Sequence, residues 1–346
     1  MIEFIDLRSD TVTQQTQEMR DAMYKAEVGD DILGEDKTVR ELELMSADIL
    51  GKEDSLFVTS GTMGNQIAVM VLTNRGEEVI VGDTSHIFNL EVGGLASLSQ
   101  VQTRTIGVPD GIYDICKMED LIRNEGIQNP KTSLICIEDT NNLNAGLVVP
   151  IDNLYEVYGL ASRKKIFVHL DGARIFNASV ASKVSVSEIA KGADTVMFAL
   201  TKGLAAPFGA ILAGNKALIE KARWIKQRIG GGYRQAGFLA APGIVALKTM
   251  LPQLKIDHEH AQILGNGLSK VKGLKVDATR IHTNIITGSI GDLSITIEEF
   301  LDKLFQKSIK VKRISKTSFR MVTHYGIEEN HLHYVIKSIE EIIEKL

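Results

Sequence analysis

A lysine that follows an apolar strand and precedes a loop of small residues is an unusual place for a charge. In Ala199-Leu200-Thr201-Lys202-Gly203-Leu204-Ala205-Ala206-Pro207-Phe208-Gly209, partial desolvation would lower the pKa of Lys202. The ammonium then becomes a nucleophilic amine suited to a Schiff base. Seen alone, the segment fits a lysine snorkelling at a strand end equally well. A second group, His169-Leu170-Asp171-Gly172-Ala173-Arg174, closes the apolar run Ile166–Leu170, and ligands of open α/β sheets collect at the carboxyl ends of strands. Asp171 there suits a cationic ring nitrogen and Arg174 a carboxylate, although the two also suit a buried structural pair. A third group, Thr59-Ser60-Gly61-Thr62-Met63-Gly64-Asn65-Gln66, follows the strand-like Leu56-Phe57-Val58 and opens an apolar helix. Unpaired N–H groups at a helix start favour an anion, typically a phosphate. The segment is neither a Walker A loop nor G-x-G-x-x-G.

Two further segments carry weaker signals. Gly230-Gly231-Gly232-Tyr233-Arg234-Gln235 marks a loop where another backbone or a ligand comes close. Ser318-Phe319-Arg320-Met321-Val322-Thr323-His324 places an arginine inside a strand, where a solvated face is the plain expectation. The pairs His258/His260 and His331/His333 are spaced i,i+2 and share no helix face, so no metal site is expected. His86 differs, because it follows Val79-Ile80-Val81-Gly82-Asp83 at a strand end. Cys116 and Cys136 form no C-x-x-C pair and read as reduced thiols, Cys136 in the core.

Positioning such groups takes alternating strands and helices. Val79–Val81, Leu134–Ile137, Ile166–Leu170 and Thr195–Phe198 read as buried strands, with an amphipathic helix over Asn153–Arg163. That alternation predicts an α/β fold with a mostly parallel central sheet. Ala240–Leu251 reads as a helix ending before Pro252. Beyond it the pattern becomes helix, strand, helix, strand, strand, helix, with strands at Leu274–Val276, Thr283–Ile286, Ile309–Ile314 and Phe319–Thr323 and a closing helix from Glu328. The expected division is a large domain over 1–251, which includes an N-terminal segment of no clear home, and a small α+β domain over 252–346. The 346 residues carry 39 Lys plus Arg against 44 Asp plus Glu, a net charge of -5, which argues against nucleic-acid binding. No apolar run approaches the ~20 residues of a membrane span. The acidic start, Met1-Ile2-Glu3-Phe4-Ile5-Asp6, is unlike a signal peptide. A cytoplasmic protein with no nucleic-acid or membrane partner is expected.

Taken together, the segments resemble the low-specificity L-threonine aldolases, pyridoxal-phosphate enzymes of the β-eliminating lyase group with the aspartate-aminotransferase fold (fold type I). The matching stretches are Asp6-Leu7-Arg8-Ser9-Asp10-Thr11-Val12-Thr13, Val28-Gly29-Asp30-Asp31, Ser60-Gly61-Thr62, Asp171–Asn177, Thr201-Lys202-Gly203-Leu204, Gly230–Gly232 with Arg234-Gln235, and Val322-Thr323-His324. They run in the family's order over nearly the whole chain. The resemblance implies pyridoxal 5'-phosphate as cofactor and Lys202 as its Schiff-base lysine. It implies Asp171 on the ring nitrogen, His86 stacked on the ring, and Gly61 and Thr62 on the phosphate. It also implies Ser9, Arg174 and Arg320 on the substrate carboxylate. Arg234 would reach the cofactor of a neighbouring subunit, in a homotetramer or homodimer with composite sites. The implied reaction cleaves a β-hydroxy-L-α-amino acid, such as L-threonine or L-allo-threonine, to glycine and an aldehyde. The alternatives are β-elimination, racemisation or transamination on the same scaffold, or a non-catalytic ligand-binding relative. Lys202 with Asp171 argues against the last, because mere binding needs no such lysine.

The chain departs from the family on the substrate side. Leu33 stands where a tyrosine is usual, Phe88 where another aromatic hydroxyl is usual, and Gln227 where a lysine precedes the triple glycine. Asn141 stands where a histidine contacts the substrate β-hydroxyl. Asparagine does not titrate near neutral pH, so the base is left to His86 or an ordered water. A more apolar pocket, favouring larger apolar β-substituents over threonine, is the expectation from these changes.

Overall fold

Continuous apolar runs become strands buried on both faces, as helices packed on either side of a parallel sheet require. In the computed structural model, which describes residues 4–346, the strands in chain order are β1 (Ile5–Asp6), β2 (Asp54–Val58), β3 (Glu78–Gly82), β4 (Gln102–Ile106), β5 (Thr132–Glu138), β6 (Phe167–Asp171), β7 (Thr195–Ala199), β8 (Ala210–Gly214), β9 (Ile285–Ser289), β10 (Ile309–Lys310), β11 (Lys312–Arg313) and β12 (Ser318–Val322). Met1–Glu3, half of the start weighed against a signal peptide, lie outside the described residues. The large sheet has the order β2-β8-β7-β6-β5-β3-β4. Only β8 runs antiparallel to its neighbours; the other pairs are parallel. The α/β class with a mostly parallel central sheet is as the sequence implies.

Strand β8 was not foreseen, since the sequence reading ended on the loop before it. The return from β7 to β8 explains the small residues there. Residues 200–209 form a tight connection, closed by Leu200 N–H to Gly209 O at 3.1 Å and Ala205 N–H to Lys202 O at 2.8 Å. Gly209 has φ +89°, and a Cβ there would lie 2.3 Å from the Phe57 ring, so no other residue fits. The connection therefore fixes Lys202 just beyond the carboxyl end of β7.

Three N-terminal helices follow from capping. They are α1 (Gln17–Lys25), α2 (Lys37–Leu50) and α3 (Gly61–Leu72). Thr16, Asp36 and Ser60 accept the N–H groups of Met19, Val39 and Met63 respectively, which satisfies one orphan donor in each first turn. The helix expected over Asn153–Arg163 spans Ile151–Lys164. No single helix among the described residues is long and apolar enough to cross a membrane.

The helices Gly237–Thr249 and Leu251–Leu268 meet at a 67° bend, at the place where Pro252 suggested a boundary. Beyond it lies a three-stranded antiparallel sheet, β11-β12-β9. The expected strand at Leu274–Val276 is only a single bridge, Lys275 to Ser289. The expected strand Ile309–Ile314 is split into β10 and β11. The N-terminal segment finds its home here, because β1 pairs in parallel with β10. Leu7 is fully buried in the same core as Phe300, Phe319 and Leu332. We propose that the small unit comprises 252–346 together with the first strand.

Leu7→Ala removes a fully buried side chain from that second core. Urea unfolding is expected to show a loss of about 2–5 kcal/mol, with faster amide exchange at Ile5–Leu7.

Candidate active site

Parallel strands end on one edge, and the side chains at those ends meet there. A cavity of about 170 Å³ lies at the carboxyl ends of β5, β6 and β7, against the start of α3. Its walls bring together Gly61, Thr62, His86, Asp171, Arg174 and Lys202, all expected from the sequence, and add Glu138, Thr140 and Asn142, which were not. The N–H groups of Gly61 and Thr62 belong to the first turn of α3 and have no intrahelical acceptor.

The charges are tightly arranged. Glu138 and Asp171 are register partners across β5 and β6. Asn65 ties Asp171 in place, donating to Asp171 Oδ2 at 2.8 Å and to Glu91 Oε1 at 2.8 Å. The Asn65 carbonyl lies 2.9 Å from His169 Nε2, and His169 Nδ1 lies 2.9 Å from Thr195 Oγ1. Burial lowers the pKa of His169 to about 4, so the ring is neutral. His86 Nδ1 lies 2.9 Å from Glu91 Oε1. That bond raises the His86 pKa against the opposing effect of burial. Burial and the neighbouring Arg174 lower the Lys202 amine to about 8, well toward the nucleophilic form the sequence reading asked for.

The side of the cavity where the sequence expects a carboxylate is held from the N-terminus. Arg174 donates through Nε and Nη2 to the two oxygens of the fully buried Asp10, both at 2.7 Å. Burial alone would raise the Asp10 carboxyl, but the Arg174 guanidinium holds it well below the usual range. Arg174 Nη1 and Arg320 Nη1 both donate to Asn142 Oδ1, at 3.1 and 3.0 Å. Arg320 is buried rather than solvated, and its Nε has no hydrogen-bond partner.

Other expected residues stand elsewhere. Ser9 accepts the Thr11 N–H and caps a short turn, outside the cavity wall. Asn141 does not line the cavity. Its amide donates to Thr84 and its carbonyl accepts the Asn144 N–H, so the side chain is turned into the loop. Its neighbour Asn142 faces the arginines instead. Leu33 and Phe88 are exposed and outside the cavity wall. Phe88 is two residues from His86 on one helical turn and points elsewhere. Within one chain, therefore, the expected apolar change of the pocket is not made by these three residues. Arg234 is exposed and paired with Asp30 at 2.9 Å. Of the residues that sequence reasoning missed, Asn65 lies inside the helix-start segment already singled out. Glu91 gave no local signal, because its place in the network comes from burial, while Glu138 begins the Glu138-Asp139-Thr140 segment that corresponds to a Glu-Asn-Thr motif of the resembling family.

Residues 6–289 match the beta-eliminating lyase family. The chain belongs to that family. It is 41% identical to low-specificity L-threonine aldolase 1 of Arabidopsis thaliana over 342 residues, 97% of this chain and 96% of the relative. It is 32% identical to the alanine racemase TOXG of Cochliobolus carbonum over 315 residues, 86% of this chain and 78% of the relative. The fold superposes on the threonine aldolase of Leishmania major with a TM-score of 0.84 at 19% identity, covering 98% and 99% of the two chains.

Beta-eliminating lyases depend on pyridoxal phosphate, and the residues present fit that group. A lysine of lowered pKa, a strand-end carboxylate and a helix start converge on one cavity. The Thr140 hydroxyl, also in its wall, is buried without a partner. A Cβ at Gly61 would lie 3.1 Å from Met197 Cε, so a larger residue at the helix start would have to displace that side chain.

The His86–Glu91 pair gives a pH signature. A folded pKa above the unfolded value of about 6.5 means stabilisation that is complete below that pH and lost as pH rises through the folded pKa. Glu91→Gln is expected to lower the pKa of the His86 imidazole, as followed by proton NMR. An unchanged titration would show that Glu91 does not set it.

Proposed function

We propose that this protein is a pyridoxal-phosphate-dependent aldolase that cleaves β-hydroxy-L-α-amino acids, such as L-threonine or L-allo-threonine, to glycine and an aldehyde. The observation that carries the reading is the convergence of Lys202, Asp171 and the start of α3 on one cavity, in a chain 41% identical to a low-specificity L-threonine aldolase. When bound, the cofactor supplies an aldehyde that condenses with amines and a pyridinium ring that draws electrons from the substrate Cα. Lys202 provides the amine that holds and releases it. Asp171 would pair with the ring nitrogen and favour its protonated form, since an adjacent anion favours the cation. Gly61 and Thr62 offer N–H groups to the phosphate, and His86 covers the ring. Arg174 and Arg320 orient the substrate carboxylate, with Asn142 between them and Ser9 nearby in sequence to Asp10. Fixing that carboxylate sets which bond at Cα stands perpendicular to the ring. The match to an alanine racemase favours racemisation as the second reading, because it also breaks a bond at Cα.

A homo-oligomer with composite sites is part of the proposal. Arg234 is absent from its own chain's cavity wall and pairs with Asp30, and Leu33 and Trp224 are exposed apolar residues. A second cavity, lined by Ile32, Trp224, Lys226 and Gly232, lies beside this surface. A cytoplasmic location agrees with two unpaired cysteines, Cys136 buried as a thiol.

Lys202→Ala is expected to lose both aldehyde release and the visible absorption band that borohydride abolishes. A borohydride-reducible adduct persisting in that variant would exclude Lys202. Asp171→Ala should lower turnover about 10²-fold or more, as loss of preorganised charge does. Mixing Arg234→Ala subunits with Lys202→Ala subunits should restore part of the activity. A fully active monomer by light scattering would contradict the composite site.

A further inference from the structure

We propose that Glu138 is the group that accepts the β-hydroxyl proton of the substrate, an inference that rests on the aldolase reading. Glu138 ends β5, lines the cavity with Lys202 and Asp171, and is 2% exposed. One of its oxygens accepts the His86 N–H and the other accepts the Asn142 N–H at 2.7 Å. A carboxylate has about four acceptor positions, so two remain. The carboxyl thus sits between the residue that covers the cofactor and the residue that bridges the two arginines.

The other titratable groups of the cavity wall are already engaged. Lys202 would hold the cofactor, and Asp171 is bound by Asn65 and would serve the ring nitrogen. His86 Nδ1 is held by Glu91, and Asn141 is turned into its loop. Burial, and then the charge of Asp171, push Glu138 up to about 7, where a base works best near neutral pH. The charged and titratable groups around it are Asp171 on β6, His86 after β3, Arg174 and Lys202. The Tyr113 hydroxyl accepts the Glu138 N–H at 3.0 Å.

In the step, the β-hydroxyl O–H bond breaks and its proton passes to a Glu138 oxygen. The pair left on the substrate oxygen becomes the second bond of the aldehyde carbonyl, while the Cα–Cβ pair departs with Cα. A proton returned to Cα completes glycine. Glycine and aldehyde together hold every atom of the substrate, and no oxidant or co-reactant is needed.

The test compares wild-type holoenzyme with Glu138→Gln and Glu138→Asp. Glu138→Gln should lower aldehyde release about 10²–10⁴-fold, while it keeps the cofactor absorption band and loses far less of its α-proton exchange on glycine. Glu138→Asp, which retains a carboxyl, should recover part of the aldehyde release. In cofactor-free protein, the wild-type minus Glu138→Gln infrared difference should show one protonated carboxyl titrating over the same pH range as the acid limb of wild-type kcat/KM. Aldehyde release at the wild-type rate in Glu138→Gln, or equal losses of both reactions there, would overturn the role. Wild-type protein that exchanges glycine protons yet releases no aldehyde from any β-hydroxy amino acid would overturn the aldolase reading itself.

Discussion

Two carboxylates stand side by side at the edge of a parallel sheet, and the site is built to make that tolerable. The register of β5 on β6 makes Glu138 and Asp171 neighbours, and both are nearly inaccessible to water. Buried like charges are unfavourable unless hydrogen bonds and opposite charges compensate. Here three backbone N–H groups, of His86, Asn142 and Ala173, and an asparagine amide serve as donors, and Arg174, Lys202 and His86 bring positive charge. The same groups are the ones the proposed chemistry would use. Electrostatic necessity and function therefore select the same residues at this edge.

A second constraint ties the two halves of the chain together. Asp10 lies just after the first strand and Arg174 just after β6, yet they form a fully buried two-point ion pair. Asn284 donates to the same carboxylate at 3.3 Å, and Asn142 links Arg174 to Arg320 on β12. The first residues, the large sheet and the small antiparallel sheet thus meet at one polar junction beside the cavity. Asp10 takes Nε and Nη2 of Arg174, and Asn142 accepts from Nη1, so in the proposed function a substrate carboxylate would meet the arginine pair by sharing or displacing the Asn142 contact.

The sequence made the sheet legible because fully buried strands are continuous apolar runs, and β3, β5, β6 and β7 lie where those runs are. It concealed β8, whose small residues Ala210 and Ala213 resemble the loop before them. It also concealed the N-terminal segment, whose partner strand β10 lies some three hundred residues away. Lys202, Asp171 and the helix start were readable because each departs from what its local element needs. Glu91 was not, since an acid reads as surface until the fold buries it. Asn141 is the converse case: the family resemblance implies contact with substrate, but its side chain bonds to Thr84 and the Asn144 N–H, and Asn142 lines the cavity.

In the proposed function, this edge of the sheet breaks the Cα–Cβ bond of β-hydroxy amino acids. The most direct measurement is the product balance from L-threonine and L-allo-threonine with cofactor-loaded protein. Glycine and aldehyde should form in equal amounts, with no ammonia released and no inverted amino acid accumulating ahead of them. Keto acid with ammonia, or the opposite enantiomer without aldehyde, would contradict the account.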